Sequence, residues 1–279
     1  MSMKQQITDR FSMRDRLTML YACTVAILVL MIAASVAGVL YSRTIYPGEE
    51  LRRMFLPNDV VKLCLGLPFL LASLLVAWRK HLIGFLALLG ALLFVLYNYL
   101  VYVLAMPFGV PFLLYLALVL LSTCALVILI AHIDAAATRQ RLAGAVPERV
   151  AGSILTGLGA LFFFRAVGIL IRGIAQHAPI ARTDLAVDFA DLLITPLWII
   201  GGVLLILRKP LGYVASIGLL FQASALFIAL AAFLPLQSLI VGGPFRWTNV
   251  AAILVMGSVC FVPLVLFVRK AGSRQRSPL

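Results

Sequence analysis

Three aspartates and two arginines in the second half of the chain are spaced as a site would need them. Asp184, Asp188 and Asp191 fall at i, i+4 and i+7, so on a helix they share one face. The stretch ALFFFRAVGILIRG puts Arg165 and Arg172 seven residues apart, again on one face. A guanidinium facing carboxylates can do two kinds of work. It can bind an anionic or polar ligand, with Asp188 or Asp191 as gate or proton carrier, or it can lock two helices together as an ion pair. Neutral polar groups at similar depth would extend such a site. Asn98 and Tyr102 are i and i+4 in YNYLVYVL, and Gln222 is an isolated amide in an apolar run. The candidate ligand-binding set is therefore Arg165, Asp188, Asp191, Asn98, Tyr102 and Gln222, with Asn98, Tyr102, Arg165, Asp191 and Gln222 lining one outward-opening cavity. Asp59 and Lys62, at i and i+3, form a lesser set in the first half. They are expected as a surface pair, the lysine stem reaching outward to water.

Other chemistry has less support. His81, His132 and His177 are scattered, so no metal site is expected, and no cofactor either. Cys23, Cys64, Cys124 and Cys260 all lie in apolar runs with no CxxC pair, and read as small core residues. The sequence has no HExxH, GxSxG, Walker or Gly-rich dinucleotide motif, which disfavours a membrane enzyme acting on lipid and leaves no catalytic residue to name.

The elements that must position these groups follow from composition. The chain of 279 residues is 63% hydrophobic and 12% charged, with a mean hydropathy of +1.11. A soluble domain has roughly 45–50% apolar and about 25% charged residues. Surface-to-volume scaling gives a soluble chain of this length no way to hide so much apolar surface, so most of it must face lipid. The expected fold is all-α and polytopic. A spanning helix needs about 20 mostly apolar residues. Eight segments qualify, at residues 17–41, 60–78, 82–106, 111–133, 151–171, 185–207, 211–233 and 247–268. The first is too long for a signal-peptide core and is expected to stay uncleaved.

The net charge of +13 does not point to nucleic acid, because the cations sit in short clusters between apolar runs rather than along a polar face. In a membrane protein the same excess reads as orientation and attraction to anionic lipid. Fifteen Lys/Arg fall on one side of the eight segments and six on the other, with Lys62 and Arg165 inside helices. The basic side holds residues 1–16, Arg79-Lys80, residues 134–150, Arg208-Lys209 and residues 269–279. Both termini are therefore expected in the cytoplasm.

Two basic turns look alike. LLVAWRKHLIGF (74–85) and LILRKPLGY (205–213) each interrupt an apolar run, and Asp, Pro, Arg-Lys and Gly recur around them at offsets of 129, 128, 129 and 128. AGVL and VGIL in the first and fifth segments match, as do Ser122/Cys124 and Ser258/Cys260. The pattern predicts a tandem duplication of parallel four-helix units, 17–133 and 151–268, joined by the polar linker 134–150.

The outer aspartate, the proline-bearing second helix, the basic turn and YNYLVYVLAMPFGVPFLLY (97–115) together resemble a group of prokaryotic multi-pass membrane proteins, best over 56–133 and 187–233. That resemblance implies a bacterial or archaeal cytoplasmic membrane and carries no activity or residue roles. The leading functional expectation is a transporter or binding protein for a small molecule or ion, with lipid and a small polar or anionic ligand as partners. The alternative is a non-catalytic accessory or assembly protein whose internal charges are structural.

Overall fold

The computed structural model describes the chain apart from residues 1–2, 145–146, 178, 243–244 and 274–279, and for 3–14 and 270–273 the backbone alone. The tail cations Lys4, Arg10, Arg14, Lys270, Arg274 and Arg276 therefore lie outside the residues whose side chains are described.

The described residues form helices and connecting turns, with eight helices long and apolar enough to cross a membrane. They are α1 (Asp15–Leu40), α2 (Glu49–Trp78), α3 (Leu82–Ala105), α4 (Val110–His132), α5 (Glu148–Gln176), α6 (Arg182–Ile206), α7 (Pro210–Val241) and α8 (Trp247–Arg269). All eight expected segments are present, and α2, α5 and α7 run well beyond their apolar stretch. α2 starts at Glu49 because its first turns are amphipathic, burying Leu51 and Phe55 while Glu49 and Arg53 pair at 2.8 Å outside. The mixed-charge stretch Glu49, Glu50, Arg52 and Arg53 is thus helix. Its Glu50 accepts from the backbone N and Oγ1 of Thr183 at 2.9 and 3.0 Å, which ties α2 to the start of α6.

Consecutive helices run antiparallel, which sorts the connections into two ends. One end, here the basic end, carries the turns at 79–81 and 208–209 and the segment 134–147. There Glu148 accepts from the Gly144 N–H at 2.9 Å and the Tyr213 hydroxyl at 3.1 Å, with Arg208 3.9 Å away. A short helix, Ala135–Leu142, capped by Asp134, packs on α7. The opposite end carries residues 41–48, 106–109 and 177–181.

Helices α3 and α7 cross at the centre of the bundle. α3 also packs on α2, α4 and α6, and α7 on α6, α8 and α2. The crossing is close because glycine meets glycine. A methyl on Gly90 would lie 2.6 Å from the Gly218 carbonyl oxygen, and one on Gly218 would lie 2.7 Å from the Leu89 side chain. Gly152 and Gly159 likewise let α5 lie against α6, while Gly157 faces open space. Of the four cysteines only Cys260 is buried; Cys64 is exposed on α2.

The two basic turns have the same backbone. Arg79, Lys80 and His81 have φ of −74°, 57° and −78°, and Leu207, Arg208 and Lys209 have −77°, 53° and −73°. Lys80 therefore occupies the position of Arg208, an offset of 128 that matches the flanking prolines and glycines, rather than the 129 of the Arg-Lys pairing. Between Asp59 and Pro68 lie nine residue steps, against eight between Asp188 and Pro196. The longer interval in α2 contains a π-helical turn over Lys62–Gly66, where the Leu67 N–H bonds back to the Lys62 carbonyl.

Candidate functional site

Arg165 on α5 meets both expected carboxylates. Its Nη2 lies 3.1 Å from Asp188 Oδ1 and 3.0 Å from Asp191 Oδ2. The helix periodicity that puts Asp188 and Asp191 on one face of α6 turns that face to α5, and the short connection keeps the two helices adjacent. Asp188 is 2% exposed and its Oδ2 has no hydrogen-bond partner, whereas the Arg165 side chain is 43% exposed. Tyr97 on α3, which is not among the candidate residues of the sequence, donates to Asp191 Oδ1 at 2.7 Å. Its position one residue before Asn98 was the only sequence signal for it.

Beside this cluster is a cavity of about 380 Å3 between α2, α3, α5, α6 and α7. Its polar wall is Asn58, Tyr97, Asn98, Arg165, Asp191 and Trp198, and Phe162, Ile194, Phe227 and Phe233 supply much of the rest. The volume falls in the range of small-molecule sites, roughly 300–1,000 Å3.

The structure brings Asn98, Arg165 and Asp191 to one cavity and places the other members of the set elsewhere. Asp188 stands behind Arg165 and does not line the wall. Gln222 is sealed beneath it, accepting from Trp198 Nε1 at 3.1 Å and donating to the Leu93 carbonyl at 3.2 Å, so its amide is spent on packing α7 against α6 and α3. Tyr102 is buried in a separate cluster, and Asn58 stands between the two, reaching Asn98 Oδ1 at 3.5 Å and the Tyr102 hydroxyl at 3.4 Å.

That second cluster overturns the surface reading of Asp59 and Lys62. The pair is 2.9 Å apart and fully enclosed, Asp59 0% and Lys62 1% exposed. The lysine does not snorkel because its Nζ lies 3.6 Å from the Tyr102 ring centroid and 4.5 Å from that of Tyr99, and aromatic faces attract cations. Tyr102 donates to Asp59 Oδ1 at 2.9 Å, and Tyr46 donates to Oδ2. Burial, then the Asp59 carboxylate, push the Tyr46 phenol far above its usual range, so it keeps its proton and remains a donor. Gly38 on α1 makes room, since a methyl there would run into the Asp59 carboxylate.

Among the described residues no three His, Cys, Asp or Glu side chains converge as metal ligands. The arrangement can hold a polar group against Asp191 and Arg165 while packing an apolar body on aromatic walls. No family model, no curated protein and no solved structure matches this chain, so the cavity and the two charge clusters alone carry the functional reading.

Proposed function

We propose that this is a multi-pass protein of a prokaryotic cytoplasmic membrane, with both termini cytoplasmic, that binds or transports a small molecule or ion at the α2–α3–α5–α6–α7 cavity. The observation that carries the reading is a cavity of about 380 Å3 with Arg165 and Asp191 on its wall, in a bundle of apolar helices. Charged groups inside spanning helices are costly and usually mark a pathway or a site.

The orientation rests on the basic residues gathered at one end of the bundle. The proposed units are 17–133 and 151–268, with 134–150 as linker, 1–16 as N-terminal tail and 269–279 as C-terminal tail. Their duplication is supported by the matching turns, by Gly90 and Gly218 at the same offset of 128, and by the exchanged contacts of α3 with α6 and α7 with α2. Parallel repeats with a site between them suit a protein that works by rocking one half against the other.

The test is a thermal-shift screen of small metabolites against the protein in lipid nanodiscs, repeated on Leu230→Trp, which narrows the cavity from a half-exposed wall position. Ligands that stabilise the wild type and lose their effect in the variant are the expected result. A screen with no cavity-dependent ligand removes the reading.

A second reading has its own observation. α5 and α6 form the most extensive helix pair, with the Arg165 ion pairs across it, as an accessory or assembly protein with purely structural charges would have. In that case Arg165→Ala and Asp191→Ala each unfold the protein and the double variant recovers.

A further inference from the structure

Charge counting around Arg165 points to the class of ligand, on the reading that the cavity is the ligand site. Asp188 and Asp191 share one guanidinium, and both contacts run through the same Nη2. Among the described residues no other cation pairs with either carboxylate, and the buried Asp188 Oδ2 has no donor. The cluster therefore holds one negative charge more than Arg165 neutralises. An uncompensated charge away from water is expensive, so the deficit is met by a proton or by a cation from the cavity.

The cavity wall offers a cation what it needs. Asp191 is the carboxylate on that wall, and the rings of Tyr97, Phe162, Trp198 and Phe227 face the same space. Carboxylate and aromatic faces together suit an ammonium on an apolar body. Among the described residues the one cation on that wall for an anion is Arg165, already engaged by two carboxylates, and an anion there would crowd Asp191.

We infer that the cavity takes a small organic cation, an ammonium or guanidinium group carried on an apolar or aromatic body, with Asp191 as counterion. The cation donates to Asp191, and Arg165 keeps Asp188, which brings the cluster to neutrality. No bond is made or broken.

Three probes with one ring and different charge test this: benzylammonium, benzoate and benzyl alcohol, titrated into the protein in nanodiscs. Trp198 fluorescence reports occupancy in a Trp78→Phe/Trp247→Phe background, with the thermal midpoint as second readout. Benzylammonium is expected to bind saturably and raise the midpoint, with the other two weaker by roughly tenfold or more, the worth of one charge-assisted hydrogen bond. Leu230→Trp should abolish its binding, and Asp191→Asn should weaken it by a similar factor and remove its advantage over benzyl alcohol. If Asp191→Asn fails to fold, the wild-type contrast between the probes still decides. Benzoate binding as tightly as benzylammonium overturns the inference, as does benzylammonium binding that ignores Leu230→Trp. Cavity-dependent ligands that are all anionic or neutral sink this inference and leave the binding-site reading standing; no cavity-dependent ligand of any charge sinks both.

Discussion

The Lys62 ammonium is held by one carboxylate and two aromatic faces, with no route to water. Removing one partner of a buried pair leaves the other uncompensated, at a cost of about 3–5 kcal/mol, whereas an apolar or neutral replacement of both is often harmless. Lys62→Met is therefore expected to lower the thermal midpoint sharply, and Asp59→Asn/Lys62→Met to recover most of the loss in the same melting experiment. A double variant as unstable as the single would mean that the tyrosine cage needs the charges themselves. At the other cluster, Tyr97→Phe deletes the donor to Asp191 and nothing else of size. It should cost about 0.5–1.5 kcal/mol by denaturant titration, or up to about 3 because the acceptor is charged. Asp59 and Lys62 were visible in the sequence as an i, i+3 pair, but their burial was not. It depends on Tyr46, Tyr99 and Tyr102, which are brought from a connecting turn and from another helix.

At the scale of helices, the π-helical turn in α2 makes a sharp prediction. A π turn absorbs one extra residue and leaves the helix on either side in register. Deleting the exposed Cys64 should return Lys62–Gly66 to ordinary helix with Asp59 and Pro68 still on their present faces. Deleting the exposed Leu71, in regular helix, would rotate everything beyond it by about 100° and misplace a buried face. The first variant is expected to purify folded and the second to aggregate, read by size-exclusion chromatography in detergent. The α3–α7 crossing makes another. Gly90→Ala and Gly218→Ala each push a methyl into the facing helix, at an expected cost of about 1–3 kcal/mol in thermal or denaturant unfolding. Gly157→Ala, which meets nothing within 4 Å, should be close to neutral.

For the whole molecule the sharpest question is direction in the bilayer. The basic end holds Arg208, and the opposite end holds Arg246, one residue before α8. In a cysteine-free background, Arg208→Cys is expected to react with an impermeant thiol reagent only after the cells are opened, and Arg246→Cys in intact cells. Labelling of Arg208→Cys from outside reverses the proposed orientation.

The sequence by itself determined the number of spanning helices, because a run of about 20 apolar residues has few fates other than lipid. It also determined where the chain turns, because prolines and paired cations cannot continue such a run. Arg165 could be matched with Asp188 and Asp191 because helical periodicity and one short connection suffice to place two neighbouring helices. Helix α7 lies far from α2 and α3 along the chain, and nothing local specifies which of their faces meet. Only the tertiary structure could therefore put Gln222 under the cavity rather than in it, close three tyrosines around Asp59 and Lys62, and leave Arg165 shared by two carboxylates beside an aromatic wall.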